Sequence, residues 1–157
     1  MYRVVRHAEH VARLAHGNAL NKHNGEPYIT HVERVVGYLL DADVSPTTLA
    51  VGWLHDVVED TAMTLVGLRA LGFAPEILDA VDAITQRPHE ARLDYYARVG
   101  PTLSALQVKL LGDMRDNTDP ERRKALPQAT RDRLDGKYLR GYTTLLTYTR
   151  MHRGWGM

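Results

Sequence analysis

The segment Trp53-Leu54-His55-Asp56-Val57-Val58-Glu59-Asp60-Thr61 places one imidazole and three carboxylates close together. At about 100° per residue on a helix, Val51, Leu54, Val57 and Val58 gather on one face. His55, Asp56, Glu59 and Asp60 gather on another. A solvated face with so many acids normally carries Lys or Arg to offset like-charge repulsion at i,i+4, and this one has no basic side chain except the histidine. A divalent cation would remove that repulsion, and imidazole with carboxylate suits Mn, Fe, Zn or Mg. A His-Asp pair alone is weak evidence, so further ligands have to come from elsewhere in the chain.

Two other places offer them. Asp113 and Asn117 lie four apart and continue the stripe of Leu103, Leu106 and Leu110, with Lys109 one turn earlier. Polar residues on an apolar stripe mark either an exposed helix end, where Asp and Asn are common, or a buried site. Lys109 could neutralise a phosphate, or simply be exposed. In Gly25-Glu26-Pro27-Tyr28-Ile29-Thr30-His31, Pro27 precedes a helix start and His31 lies in the first turn beside Ile29, Val32 and Val36. A lone histidine there is ordinarily a core-edge residue; the other two clusters make it a ligand candidate.

The elements that must position these groups read as helices throughout, with no alternating strand pattern. A first helix is expected over Tyr2–His16, burying Val5, Ala8, Val11, Ala12 and Ala15, then a loop from Gly17 to Pro27 rich in Asn and Gly. A second helix starts near Ile29. Ser45 as cap and Pro46 at the first position open a third, expected to run to about Asp60. Shorter helices are expected over Thr64–Leu71, Pro75–Thr85 and Glu90–Val99. After the Gly100-Pro101 break come Thr102–Asn117 and a last helix over about Gln128–Met151, which Gly136 and Gly141 weaken. Gly154-Trp155-Gly156-Met157 reads as a loose tail.

Composition sets the class. The 157 residues suit one domain with a real core, and 44% hydrophobic with 25% charged residues is ordinary for a globular protein. A formal charge of +1 lacks the basic balance of a nucleic-acid binder. The absence of cysteine excludes disulfides and thiolate-bound zinc. No apolar run resembles a signal peptide or reaches the roughly 20 residues of a membrane span, so the expectation is a cytoplasmic protein without membrane partners. Of the eight histidines, His7, His10, His23, His89 and His152 read as surface residues.

Together the three clusters resemble the HD superfamily, and within it the hydrolase domain of the RelA/SpoT alarmone enzymes. The similarity runs from about His16 to Asn117. AHGNALNKHNGEPYITH is similar to that family's first motif, WLHDVVEDT to its second and VKLLGDMRDNT to its third. The resemblance implies His31, His55, Asp56 and Asp113 as ligands of one divalent metal, with Mn²⁺ the expected ion. It implies Glu59 and Asp60 as the catalytic acidic pair, Asn117 as an active-site amide, and Thr85 as a residue closing a helix under the site. Lys22 stands where the alarmone hydrolases usually have an Arg that meets the substrate. Their synthetase and regulatory domains have no counterpart in this sequence, so the resemblance points to a small, free-standing form.

The fold then expected is all-α, a single HD-type helical bundle over residues 1–157, with the motifs in a core of about 16–117. The activity implied is removal of the 3′-pyrophosphate of ppGpp or pppGpp. A metal would acidify its bound water and polarise the phosphoryl oxygen, Glu59 or Asp60 would orient or deprotonate that water, and Lys22, His23, Tyr28, Lys109 and Arg115 would meet the substrate. The implied partner is a small nucleotide, with homo-oligomerisation left open. The alternatives are an HD hydrolase of other nucleoside mono- or triphosphates and a non-catalytic nucleotide sensor; the intact Glu59-Asp60 pair disfavours the sensor.

Overall fold

Alanines and valines at helical spacing build α1 (Arg3–His16), which buries Ala8, Val11, Ala12 and His16 and stops at Gly17, with φ 51°. A computed structural model describes residues 2–152 and Trp155. In the loop after α1, the side-chain oxygens of Asn21 and Asn24 accept the backbone N–H groups of His23 and Glu26, as Asx turns do. A lone antiparallel bridge joins Leu20 to Pro27, and there is no β-strand among the described residues. Helix α2 (Tyr28–Asp41) follows, one residue earlier than the sequence suggests, and buries His31, Val32, Val35, Val36 and Leu39.

Helix α3 (Pro46–Leu54) begins as expected: Ser45 Oγ accepts the Thr48 N–H at 3.1 Å and Pro46 takes the first position. From Thr48 to Leu54 every residue is buried, because this helix packs against α1 and α2. Burial of each large aliphatic side chain such as Leu39 or Leu54, both 0% exposed, contributes about 1.5–3 kcal/mol.

The helix does not continue to Asp60. It breaks at His55-Asp56, where Asp56 has φ −106° and ψ 0°, and resumes as α4 (Val57–Asp60). Then come α5 (Leu65–Ala70), α6 (Pro75–Ile84), α7 (Arg92–Val99) and α8 (Leu103–Gln107). The expected Thr102–Asn117 helix is present but not regular: Val108–Asp113 forms a π-helical turn between α8 and α9 (Met114–Asn117). A short α10 (Pro120–Arg123), which the sequence reading lacks, is capped by Asp119. Helix α11 (Gln128–Leu146) runs unbroken through Gly136 and Gly141 and ends before Met151, its last residues giving way to a 3₁₀ turn at Thr147–Met151. The helices share one hydrophobic core. Of the expected loose tail only Trp155 is among the described residues, and it is half-buried against that core.

The π-helical turn packs on α2, and Gly112 makes that approach feasible. A Cβ at this position would lie 2.6 Å from Val35 Cγ1 and 3.2 Å from the Val35 carbonyl oxygen. Overpacking of this kind costs about 1–3 kcal/mol, more than alanine gains over glycine in helix propensity. Gly112→Ala is therefore expected to lower Tm by roughly 2–4 °C per kcal/mol lost, read by thermal unfolding. An unchanged Tm would contradict the close contact of the two helices.

Candidate functional site

Four side chains from three separate places converge. His31 comes from the first turn of α2, His55 and Asp56 from the break between α3 and α4, and Asp113 from the end of the π-helical turn. His55 Nε2 lies 3.0 Å from Asp56 Oδ2 and 3.7 Å from Asp113 Oδ1; His31 Nε2 lies 3.5 Å and 3.2 Å from the same two atoms. On a regular helix His55 and Asp56 would diverge by about 100°; the break lets neighbours in sequence face one point.

Both imidazoles are oriented from behind. His55 Nδ1 is 2.7 Å from the Gly52 carbonyl oxygen and His31 Nδ1 is 2.6 Å from Asp116 Oδ2, so each ring donates through Nδ1–H and turns Nε2 inward. His55 Nε2 is buried without a hydrogen-bond partner among the described residues. Burial alone would push the imidazoles toward neutrality. In the metal-free chain it is overcome: Asp56 and Asp113 raise His55 to about 10, and hydrogen bonds to Asp113, Asp116 and Asp56 lift His31 well above the imidazole range. Against the same opposing burial, His55 and His31 hold the Asp56 carboxyl below its usual range, and Lys109 and His31 do so for Asp113. Inward imidazole nitrogens facing two ionised carboxylates suit a metal cation in place of the protons held there, and the ligand atoms of His31, His55, Asp56 and Asp113 lie within 4.8 Å of one another. Two imidazole nitrogens and two carboxylate oxygens fit a divalent Mn, Fe, Zn or Mg ion.

Most of the other candidate residues lie around this cluster. Carboxylate oxygens of Asp56, Glu59 and Asp60 lie within 4.8 Å of one another. Glu59 Oε1 accepts the Gln86 backbone N–H at 2.9 Å, and its pKa is raised by burial first and by Asp56 next. Asn117 Nδ2 donates to Asp113 Oδ1 at 3.0 Å, Tyr28 Oη donates to Asp56 Oδ2 at 2.6 Å, and Lys109 Nζ donates to Asp113 Oδ2 at 2.7 Å. Tyr28 and Lys109, read from sequence as facing substrate, thus also hold the carboxylates. Thr85 ends α6 as expected, its hydroxyl on the Val81 carbonyl.

A cavity of about 150 Å³ at the cluster is lined by His55, Asp56, Glu59, Lys109 and Asp113, and one of about 760 Å³ lies beside it. Tyr28, Glu59, Asn117, Lys137 and Tyr138 line both, and Lys22 and His23 line the larger. Arg115 does not join them: its guanidinium stacks on the Tyr38 ring at 4.1 Å and it lines neither cavity. Two of the histidines read as surface residues are tied into the fold. His7 stacks on Phe73 and bonds the Leu71 carbonyl, while His152 bonds that of Gly100.

Several site residues escape the sequence reading. His16 is buried, 5.1 Å from the Tyr28 ring, and lines the larger cavity; its spacing from Ala8 and Ala12 was the available signal. Lys137 and Tyr138 of α11 line both cavities, and no spacing announces them. Asp116, 0% exposed, accepts from His31, from Arg34 and from Arg122.

No protein-family model matches the chain. A probable guanosine-3′,5′-bis(diphosphate) 3′-pyrophosphohydrolase of Synechocystis is 31% identical over 125 residues, 69% of this chain and 16% of the relative. A probable GTP pyrophosphokinase of Mycobacterium leprae is 39% identical over 83 residues, 53% of this chain and 10% of its own length. The chain thus spans less than a fifth of the curated relatives it matches. A solved structure described as a metazoan ortholog of SpoT that hydrolyzes ppGpp superposes with TM-score 0.71 at 22% identity, covering 97% of this chain and 96% of the other. The fold and the cluster define an all-helical HD-type domain. Within that class the chain is similar to proteins of the RelA/SpoT type.

Proposed function

We propose that this chain is a metal-dependent phosphohydrolase that removes the 3′-pyrophosphate of ppGpp or pppGpp, with Mn²⁺ as its ion. The observation that carries the reading is the four-donor cluster with Glu59 and Asp60 beside it: His55, Asp56 and Asp113 line the smaller cavity, and Glu59 is shared with the neighbouring cavity of about 760 Å³, a size suited to a nucleotide. The relatives named as ppGpp 3′-pyrophosphohydrolases support ppGpp as the substrate.

His31, His55, Asp56 and Asp113 would hold the metal, which when bound supplies a water of lowered pKa and polarises the phosphoryl oxygen. Glu59, anchored through Oε1 on Gln86, takes the proton from the attacking water as its oxygen bonds to phosphorus. The bond from phosphorus to the ribose 3′ oxygen breaks and that oxygen takes up a proton from solvent, giving GDP or GTP and pyrophosphate. Lys109, already beside Asp113, and Lys22, lining the larger cavity, offset the charge on the phosphates. Asn117 keeps Asp113 in place.

Lys22 favours a second reading, hydrolysis of other nucleoside mono- or triphosphates, because an ammonium cannot stack or bond as a planar guanidinium does. Incubation of purified protein and Mn²⁺ with ppGpp, pppGpp, GTP and GMP, followed by anion-exchange separation, decides between the two. The expected result is GDP and pyrophosphate from ppGpp, abolished by chelator. Turnover of GTP or GMP with ppGpp untouched would move the protein to the second reading.

A further inference from the structure

Asp116 is fully buried, yet its carboxylate meets two guanidinium groups and an imidazole. Arg34 Nε donates to Oδ1 at 2.8 Å, Arg122 Nη1 donates to Oδ2 and to the Asp116 carbonyl at 2.9 Å, and His31 Nδ1 lies 2.6 Å from Oδ2. Burying a carboxylate is costly even when paired. One arginine would neutralise it; the third contact, to the face of His31 that points away from the metal cluster, has a different consequence. A carboxylate accepting from Nδ1–H fixes the tautomer with the lone pair on Nε2, fixes the ring plane, and makes Nε2 a stronger donor. The other imidazole, His55, rests on the neutral Gly52 carbonyl. The two histidines therefore differ in what lies behind them, and only His31 is backed by a charge.

We infer that Asp116 is a positioning residue for the metal centre, acting through His31, and that Arg34 and Arg122 hold it in place. The inference rests on the metal-site reading of His31. Arg122 and Asp116 also line the larger cavity, so the clamp that sets the His31 ring forms part of that cavity's wall.

The test is a cycle of Asp116→Asn and His31→Ala, with Mn²⁺ affinity read by the free-Mn²⁺ electron paramagnetic resonance signal. Asparagine keeps the volume and one acceptor but removes the charge. Loss of an outer-shell partner to a metal-bound histidine typically weakens binding by about 10–100-fold. That loss is expected from Asp116→Asn in the otherwise wild-type chain, with little further loss once His31 is already alanine. Unchanged affinity in a folded Asp116→Asn protein, or the same loss in both backgrounds, would overturn the inference. A wild-type affinity that His31→Ala leaves unaltered would instead reject the metal site itself. If Asp116→Asn does not fold, the wild-type protein loaded with Zn²⁺ answers the question through its histidine ¹⁵N spectrum. The proton of His31 is expected on Nδ1, and a proton on Nε2 would overturn the inference.

Discussion

His55→Ala is expected to abolish specific Mn²⁺ binding and, with it, hydrolysis, while leaving the helical content in place. The imidazole is 2% exposed and supplies one of four convergent donors. Its removal leaves Asp56 and Asp113 facing a single remaining imidazole, and the loss should exceed the roughly 10–100-fold cost of deleting an outer-shell partner. The difference is measurable without turnover. A ligand at about 1,000 times its Kd stabilises the native state by about 4.1 kcal/mol, and for a chain of this size each kcal/mol moves Tm by roughly 2–4 °C. Wild type titrated with Mn²⁺ should therefore gain on the order of ten degrees, and His55→Ala close to none. Equal gains in the two proteins would place the ion elsewhere. The truncation also leaves a cavity beside α3, so the mutant baseline Tm will be lower; the comparison is of shifts, not of absolute values.

Residue type and spacing marked the acidic patch as a candidate, while the full donor set of His31, His55, Asp56 and Asp113 was an implication of the family resemblance. His55, Asp56, Glu59 and Asp60 are too acidic for a plain surface face, and the α3 start was written in Ser45 and Pro46. Backbone irregularity was not readable. Nothing in Val57-Val58 signals that α3 breaks at His55-Asp56, and no glycine or proline inside Leu103–Gln107 announces the π-helical turn after it. Arg115 was misplaced for a simpler reason: two residues after Asp113 it lies about 200° around the helix, away from the side that Lys109, Asp113 and Asn117 share, and it stacks on Tyr38 instead. Asp116 and α11 illustrate a second limit. Asp116 sits between Arg115 and Asn117 in an unremarkable polar run; its partner Arg34 is 82 positions away, and pairing at that distance leaves no local pattern. The contribution of Lys137 and Tyr138 likewise depends on where α11 is laid, which its own periodicity does not determine.

Glu59→Gln is expected to retain the metal and lose the chemistry. Glu59 is outside the four-donor cluster but shares a group with Asp56 and Asp60 whose carboxylate oxygens lie within 4.8 Å, the position from which a base could reach a water on the ion. Its Oε1 is pinned by the Gln86 N–H at 2.9 Å, and the amide oxygen of glutamine can accept the same bond, so the side chain should stay where it is. What disappears is the negative charge and the basicity. Burial and the neighbouring Asp56 raise the Glu59 pKa in the metal-free chain, which strengthens it as a base. Loss of a positioned base costs about 10²–10⁴-fold in rate. The fall should appear in kcat, with Mn²⁺ affinity within about threefold of wild type and substrate affinity unchanged or tighter, since one anion facing the phosphates is gone. Steady-state kinetics with ppGpp and the Mn²⁺ titration together separate the outcomes. Near wild-type kcat would remove Glu59 from the reaction and leave Asp60, whose pKa is also raised by burial and then by Asp56, as the base. Loss of Mn²⁺ binding would instead make Glu59 a ligand, since a group that only serves the attacking water cannot carry the affinity of the ion.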